Sequence, residues 1–582
     1  TIRNTKQMMA YMDIKFLKDF TFTVNAGFGV DETRSRSINN MYYGQFAPTG
    51  GTISVGHSRS YYFNFQQLLN WNRSFGAHNV NVLLGHESYL SQSYSVSGYK
   101  TNLFSMDNTE LNGAVVDGQN AASSRAEYNN EGYLARAQYD YDSKVFLSAS
   151  YRRDASSRFH PDYRWGNFWS FGAGWLINQE SWFNAPWVDM LKVKASIGSQ
   201  GNDSIGNYLY TDLYSISNNE GQIAIAFGSK GNKEITWETN TNMNAGVDFD
   251  LFRGRLSGTV EYFYRKTSDM LFWFTVPASL GYSGYYDNIG DMRNAGIELA
   301  LNGVIFNKKN FYWDVNFNAT HYTNKITMLP EERKTRTVEG YKGYASGNKF
   351  IGEGLPLNTF LMKKYAGVDK TNGLPMWYAD TYQLDDKGDR VLDKDGNPIV
   401  TGRETTTDYS AATEYLCDNP TPILYGGFGT SLSFYGFDVA AQFTYSIGGL
   451  TYDSGYASLV GAPSQPGYNV HVDVLNAWSE TNKDSDMPRY QYLDENINGT
   501  SDRFLVDASY LNIQNVQVGY TLPQRLTQKM KISRIRLSVS CDNVFYWSYR
   551  KGLDPRYSFT GSTNYANNSP VRTISGGLSI TF

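Results

Sequence analysis

The chain has 582 residues and a net charge of −4, and its Lys and Arg residues are scattered, which argues against a nucleic-acid-binding protein. Aromatic residues make up 15% and charged residues only 19%, with 54 Gly and 45 Tyr, a balance that is unusual for a globular enzyme. No run of about 18 apolar residues occurs, which excludes a transmembrane helix. A transmembrane β-barrel needs no such run, because its backbone hydrogen bonds close between strands.

Apolar and polar residues alternate in about seventeen stretches of about ten residues each. Successive side chains of a strand point to opposite faces, so each stretch has an apolar face and a polar face. The pattern predicts an all-β protein, a transmembrane antiparallel β-barrel with a lipid side and a lumen side. In the clearest stretch, the residues of the apolar face are Thr241, Met243, Ala245, Val247, Phe249 and Leu251.

Short links such as Lys18-Asp19 and Tyr435-Gly436 predict tight periplasmic turns between paired strands. Two longer links on that side, residues 178–190 and 523–531, are predicted to contain short helical segments. In chain order the predicted strands are 8–17, 20–31, 60–75, 79–95, 128–141, 145–154, 165–177, 191–200, 241–251, 255–272, 294–305, 311–325, 424–434, 437–447, 508–522, 533–545 and 572–582.

The long connections between these strands predict extracellular loops. Loops that a rigid scaffold presents commonly carry recognition, so binding is expected there. They comprise residues 32–58, 96–126, 201–239, 273–293, 326–423, 448–506 and 546–571.

Nothing in the sequence predicts catalysis, a metal or a cofactor. The six His residues lack metal-ligand spacing, and neither a nucleophile elbow nor a Walker A sequence occurs. A cluster of carboxylates superficially resembles a calcium loop, but the EF-hand spacing is not met, and solvated turns are the preferred interpretation. The carboxylates are Asp385, Asp386, Asp389, Asp393 and Asp395.

Phe582 closes the chain after Ile574, Gly576, Leu578 and Ile580 in one register. Outer-membrane barrels usually end in this way, so Phe582 is predicted to be a signal for the barrel assembly machinery. An ordinary final strand is the alternative interpretation.

Several strings, taken in order, resemble the barrel of the SusC/RagA-type TonB-dependent outer-membrane transporters, and the resemblance covers essentially the whole chain. Each string is weak alone, and their order makes the set specific. The strings are residues 153–159, 165–175, 191–198 with Gly201-Asn202, Trp237-Glu238-Thr239, 255–271, Asn288-Ile289-Gly290, 294–298, 520–523, 542–545 and Asp554-Pro555.

The resemblance implies a barrel of about 22 strands around a plug, of which residues 1–582 supply the last seventeen or so. It also implies a TonB-binding box and plug that are not in this chain, a SusD-like surface lipoprotein that closes over the loops, and oligosaccharide or oligopeptide substrates. Since bacterial single-chain barrels have even strand numbers, the odd count predicts that upstream strands, of a separate or cleaved chain, complete the barrel.

Two further expectations concern ligands in the long loops. Tyr208, Tyr210, Tyr214, Tyr282, Tyr285 and Tyr286 are predicted to contact the lid lipoprotein, because Tyr is enriched at interface hot spots. Substrate contacts are predicted at Trp273, Tyr341, Tyr344, Trp377 and Tyr378, whose rings suit sugars and peptide side chains equally. A passive porin, or a surface adhesin or assembly scaffold, remains the alternative function.

Overall fold

The computed structural model describes the whole chain except residues 118–120, 395, 463–466, 493, 495–496, 498 and 563–568. The predicted loops 96–126, 326–423, 448–506 and 546–571 each include residues outside the described set.

Eighteen strands within the described residues belong to one large sheet, and strands are numbered here in chain order over the whole molecule. The strands of this sheet are β1 (Ile2–Phe16), β2 (Phe20–Asn39), β3 (Thr52–Phe75), β4 (His78–Leu103), β5 (Ala114–Asp117), β6 (Ala122–Tyr141), β7 (Val145–Ser156), β8 (Trp165–Leu176), β9 (Val188–Asn202), β12 (Glu238–Leu251), β13 (Leu256–Ser268), β16 (Asp291–Lys308), β17 (Phe311–Met328), β26 (Leu424–Phe434), β27 (Phe437–Ile447), β30 (Tyr510–Thr521), β31 (Arg534–Ser548) and β32 (Thr573–Thr581).

Shorter strands and helical turns lie in the connections. The strands are β10 (Leu213–Asn219), β11 (Gln222–Ser229), β14 (Leu271–Thr275), β15 (Gly284–Asn288), β18 (Arg336–Val338), β19 (Tyr341–Ser346), β20 (Lys349–Gly352), β21 (Leu361–Lys363), β22 (Tyr365–Val368), β23 (Pro375–Tyr382), β24 (Val400–Thr406), β25 (Glu414–Leu416), β28 (Leu450–Tyr452) and β29 (Leu505–Asp507). The helices are α1 (Ser454–Val460) and α2 (Gln524–Thr527), with 3-10 turns at Ala47–Thr49, Leu111–Gly113, Ile177–Gln179, Ala278–Leu280, Glu331–Arg333, Val472–Asn476, Asp502–Phe504, Gln528–Met530 and Pro555–Tyr557.

The chain divides into two compact units. The first comprises Thr1–Leu176, Lys194–Met243 and Thr267–Ile289, and in it β1, β2, β3, β4, β6, β7 and β8 pair successively as antiparallel neighbours. The second comprises Ile177–Val193, Asn244–Lys266 and Gly290–Phe582, and in it β16, β17, β26, β27, β30, β31 and β32 pair in the same way. The antiparallel pairing and the predicted seventeen strands are confirmed, and the short β5 on β4 is the eighteenth.

Tight turns lie where the sequence predicts them. Tyr435 and Gly436 join β26 to β27 with φ of 45° and 92°, the left-handed conformation at both turn positions that suits a hairpin. The longer links also contain the predicted helical segments, at Ile177–Gln179 and at α2. No helix in the described part of the chain is long and apolar enough to cross a membrane.

Several strands are longer than predicted: β1 and β6 begin six residues earlier, at Ile2 and Ala122, and β2, β3 and β4 extend furthest. β2 continues to Asn39, β3 begins at Thr52 and β4 continues to Leu103, so the predicted loop 32–58 reduces to residues 40–51. In these extensions Arg34 pairs with His57 and Ser58 pairs with Ser95. Near the tips of these extensions Ile53 and Leu103 are buried in one apolar cluster with Ala114, and Ile38 packs against that cluster.

Many apolar side chains on the strands of the sheet are exposed. On β31, Leu537 and Val539 are 50% and 57% exposed, whereas Arg536 lies on the other face and its Nε donates to Asp438 Oδ1 at 3.1 Å. Arg536, Ser538 and Ser540 are partly buried, which is the alternation expected from the sequence.

Buried apolar side chains concentrate instead in the loop assembly, defined as the described residues of 329–423, 448–507 and 549–562 of the second unit. One cluster joins Val338, Phe350, Leu355 and Leu361, and a second joins Val460, Met487 and Phe504. These connections therefore form a folded layer with its own core.

Candidate binding sites on the sheet and in the loops

Charged side chains meet on the polar face of the first unit, where β4, β6 and β7 are neighbours. The Arg152 Nε donates to both carboxylate oxygens of Asp154 at 2.8 Å. The Arg152 Nη2 donates to Glu87 Oε2 at 3.0 Å. Two carboxylates therefore hold one guanidinium in a fixed orientation through charge-assisted hydrogen bonds.

Gly132 of β6 makes this contact possible. It pairs with Glu87 on one side and with Asp154 on the other, so the three residues form one row across the sheet. A Cβ on Gly132 would lie 2.3 Å from Asp154 Oδ1, which is too close for any side chain. Glycine is thus required where the ion pair crosses β6.

Asp203, which follows β9, is a second centre of contacts. Its Oδ2 accepts hydrogen bonds from the Tyr128 hydroxyl at 2.9 Å and the Ser156 hydroxyl at 2.7 Å. The Arg158 Nη1 donates to the Asp203 carbonyl at 2.9 Å, and the Arg158 guanidinium lies 4.5 Å from the centre of the Tyr128 ring. These contacts hold the turn after β7 against the sheet.

Trp237 completes the site. Its Nε1 donates to the Arg164 carbonyl at 2.8 Å, and its ring lies 5.5 Å from Phe159 and 5.4 Å from Phe168. Two cavities of about 330 and 340 Å³ share Arg152, Asp154 and Trp237, and together they are called here the Arg152 groove. The first is also lined by Glu87, Tyr89, Tyr128, Asn130 and Asp203, and the second by Ser150, Phe168, Trp169, Ser170, Ser199, Gln200 and Gly201.

The sequence pattern predicts no role for this groove, although residues 153–159 and Trp237 belong to the family-like strings. The available signal was strand alternation: Arg152 and Asp154 share one face of β7, and Arg153 lies on the other, against Trp165. The contacts from Glu87 and Asp203 are distant in sequence and carry no local signal.

The loops 201–239 and 273–293 pack together in the first unit. Phe227 lies between Tyr214 and Tyr282, with ring centres at 5.3 and 5.7 Å. The Asn232 Nδ2 donates to the Tyr286 carbonyl at 3.1 Å. Sequence reasoning missed Phe227, which brings two of the predicted Tyr residues together.

The other predicted lid contacts lie outside the cluster of Tyr214, Phe227 and Tyr282. Tyr285 packs on Phe274 at 5.3 Å, within the hairpin of β14 and β15. Tyr210 contacts the ring of His160 at 5.9 Å, whereas Tyr208 is 43% exposed and has a left-handed φ of 66°. The six Tyr residues therefore form a dispersed set rather than one patch.

The predicted substrate contacts differ in their surroundings. Trp377 is only 2% exposed and packs on Tyr409 at 5.1 Å, so its ring belongs to the core of the loop assembly. Tyr341 is 40% exposed, and Tyr344 lies under the Arg333 guanidinium at 5.0 Å. The two remaining residues are Trp273, which packs on Tyr286 at 5.1 Å, and Tyr378, which lies 5.8 Å from the Arg403 guanidinium.

Lys349 links two segments of the loop assembly. Its Nζ donates to the carbonyls of Asn358 at 3.2 Å and Thr560 at 2.7 Å, and lies 3.1 Å from the centre of the Phe360 ring. Burial without a neighbouring carboxylate lowers the pKa of Lys349 to about 7. Burial likewise raises the pKa of the Cys417 thiol to about 11, so this thiol is a packed group rather than a nucleophile.

The carboxylate cluster forms turns. The Asp385 Oδ1 accepts the backbone N–H groups of Lys387 and Asp389, both at 2.9 Å. The Asp393 Oδ1 accepts the N–H of Asn397 at 2.8 Å, and Asp395 lies outside the described residues. Phe582, the predicted assembly signal, is 87% exposed beyond the end of β32.

Comparison with known proteins connects these features to a family. Residues 2–416 match the family model described as TonB dependent receptor-like, beta-barrel. The chain is 27% identical to TonB-dependent receptor P3 of Formosa agariphila over 98% of its own length and 57% of that protein. It is 26% identical to the TonB-dependent receptor SusC of Bacteroides thetaiotaomicron over 89% of its own length and 49% of that protein.

Two solved structures of the RagAB peptide importer agree with the fold. One matches with a TM-score of 0.87 and 25% identity, and the closed-closed state matches with 0.86 and 26%. Each match covers 100% of this chain and 62% of the solved chain. This chain thus spans about half to three-fifths of the proteins it matches.

These matches place the protein in the outer membrane, in a family of transporters rather than enzymes. The chain belongs to the TonB-dependent receptor-like β-barrel family, as the barrel portion of a SusC/RagA-type transporter.

Proposed function

We propose that this protein imports oligomeric nutrients, oligosaccharides or oligopeptides, across the outer membrane by a TonB-dependent route. The single observation that carries the proposal is the likeness to the RagAB peptide transporter over the whole chain, with a TM-score of 0.87. The folded loop assembly supports it as well, because a rigid set of loops can hold a ligand at the membrane surface.

A SusD-like surface lipoprotein is proposed as the lid. The β10 and β11 hairpin supports this, because its apolar side chains lie in solvent: Tyr214, Ile216 and Ile223 are 61%, 76% and 79% exposed. Exposed apolar patches mark interaction sites, and aromatic residues anchor such interfaces. Tyr214 and Tyr282, connected through Phe227, form the proposed anchor, with Tyr208, Tyr210, Tyr285 and Tyr286 as further contacts.

Substrate is proposed to be held between lid and loops, and Trp273, Tyr341, Tyr344 and Tyr378 remain proposed contacts. The plug, the TonB box and the remaining barrel strands are proposed to belong to sequence beyond these 582 residues, in the same protein or a separate chain, because the matched proteins are longer. Membrane lipid and the barrel assembly machinery, acting through Phe582, complete the proposed partners.

Uptake by cells that carry the complete transporter tests the proposal. We expect uptake of a labelled oligomer to cease when the proton-motive force is collapsed or TonB is deleted. Uptake that continues under both conditions would support a passive porin. Binding of ligands without any uptake would support an adhesin or scaffold.

A further inference from the structure

We infer that the Arg152 groove is a binding subsite for a neutral polyhydroxylated ring, that is, for one unit of an oligosaccharide. The inference rests on the proposed import function and narrows its substrate class. The two cavities of the Arg152 groove have volumes of about 330 and 340 Å³, within the range of roughly 300 to 1,000 Å³ typical of small-molecule sites.

The groove presents a preorganised donor. The side chain of Arg152 is 38% exposed, whereas its partners Asp154 and Glu87 are 10% and 20% exposed. Nε and Nη2 of Arg152 are engaged by these carboxylates, and Nη1 has no hydrogen-bond partner among the described residues. Its N–H groups are thus available to a ligand oxygen, and the carboxylates fix their direction.

The charges favour a neutral ligand. Arg152 with its two carboxylates carries a net charge of −1, which repels an anion. The exposed guanidinium in front of those carboxylates repels a cation. The charge of Asp203 is offset by the Arg158 guanidinium, whose Nη1 lies 3.4 Å from Asp203 Oδ1, so this carboxylate does not change the balance.

The remaining walls suit a sugar ring. The indole N–H of Trp237 is occupied by the Arg164 carbonyl, so Trp237 offers the groove an apolar ring surface. Phe159 and Phe168 hold that ring in place. Neutral hydrogen-bonding side chains line the same groove: Asn130, Ser150, Ser170, Ser199 and Gln200. An apolar ring face beside many hydroxyl-compatible groups is the chemistry of a pyranose.

The test uses the complete transporter purified in detergent, with calorimetric titration of short neutral oligosaccharides of several linkages. Uncharged peptides of similar length and an acidic oligosaccharide complete the panel. The variant Arg152→Lys keeps the charge and loses the planar guanidinium fork. Its matched control is Arg153→Lys, the next residue of β7, which faces the other way.

We expect at least one neutral oligosaccharide to bind. Its Kd should rise about tenfold in Arg152→Lys, because one charge-assisted hydrogen bond is lost, and should be unchanged in Arg153→Lys. A second pair of variants tests the groove without changing the ion pairs of Arg152. Trp237→Phe should weaken binding of the same ligand about threefold, whereas Trp175→Phe, at a 39% exposed residue of β8 that lines neither cavity, should leave it unchanged. Heat-modified gel mobility verifies that each variant is folded.

The inference is overturned if no neutral oligosaccharide binds, or if the bound one is indifferent to both groove variants. An uncharged peptide whose affinity alone depends on Arg152 and Trp237 would also overturn it and assign the groove to a peptide. Uptake that depends on the proton-motive force is measured in parallel. If that uptake persists while the binding test fails, the subsite is refuted and the proposed import function stands.

Discussion

The sheet strands and the loop assembly of the second unit bury opposite kinds of surface. On β31 the apolar Leu537 and Val539 are exposed and the charged Arg536 is partly buried. In the loop assembly Phe350 and Phe504 are 0% and 1% exposed, as in a water-soluble domain. The difference shows that two solvents determine burial in one chain. On the strands apolar side chains face lipid, whereas in the loops water favours their burial in a core.

The largest expected effect tests whether the loop assembly has a real core. Phe350→Ala should destabilise the loop assembly by about 3 to 5 kcal/mol, because a fully buried ring leaves a cavity. Limited proteolysis should then cut within residues 329–423 while the sheet keeps its heat-resistant gel mobility. Phe559→Ala, at a ring that is 93% exposed, is the control and should change little. Equal cleavage of both variants would show that the loop assembly has no core that depends on Phe350.

The next effect tests the exposed face of the strands. Leu537→Arg should cost roughly 2 to 4 kcal/mol, because a charge on the lipid face loses its hydration. Ser538→Arg, on the other face of β31, should be tolerated. Refolding into lipid vesicles at graded urea concentrations measures both. If the two variants lose stability equally, the register of β31 relative to lipid is not the one described.

A smaller effect concerns the exposed apolar residues of the β10 and β11 hairpin, which is proposed to lie outside the membrane. Ile216→Asp should weaken binding of the proposed lid lipoprotein by roughly 1 to 2 kcal/mol, because it places a charge in an apolar interface. Ser217→Asp, the adjacent residue on the opposite face, is the matched control. Co-purification with a tagged lipoprotein measures the effect. Unchanged recovery with Ile216→Asp would remove this hairpin from the proposed interface.

The last effect is a pH dependence within the loop assembly. The pKa of Lys349 is lowered to about 7, below its ordinary value of 10.5, so the unfolded loop binds the proton more strongly than the folded loop. The folded loop should therefore gain stability as pH rises from about 7 toward about 10.5, and should be least stable below pH 7. Tryptophan fluorescence during urea titration at several pH values measures this dependence.

Lys349→Met should remove that pH dependence and stabilise the loop assembly at pH 6, because the side chain no longer has to bury a charge. Lys342→Met, at an exposed position of β19, should leave the pH dependence intact. A persistent dependence in Lys349→Met would assign it to another group.

The strands and their pairing were predictable from sequence because lipid enforces strict alternation over each span. Residues 241–251 lie within β12, and the predicted hairpin at Tyr435-Gly436 joins β26 to β27. The extensions of β2, β3 and β4 were not predicted, because polar runs such as residues 31–37 resemble a loop. The contacts that bury Ile53 and Leu103 in one cluster join residues far apart in sequence, so no local pattern indicates them.

The sequence by itself determined the class of this protein: alternation, turn residues and ordered family-like strings require only neighbours along the chain. The tertiary structure alone decided which loop rings are buried, placing Trp377 in a core and Tyr341 at the surface. It also decided that Glu87 and Asp154 clamp Arg152 across Gly132. Such contacts join residues far apart in sequence, and their geometry follows from strand register and loop packing, which no local pattern encodes.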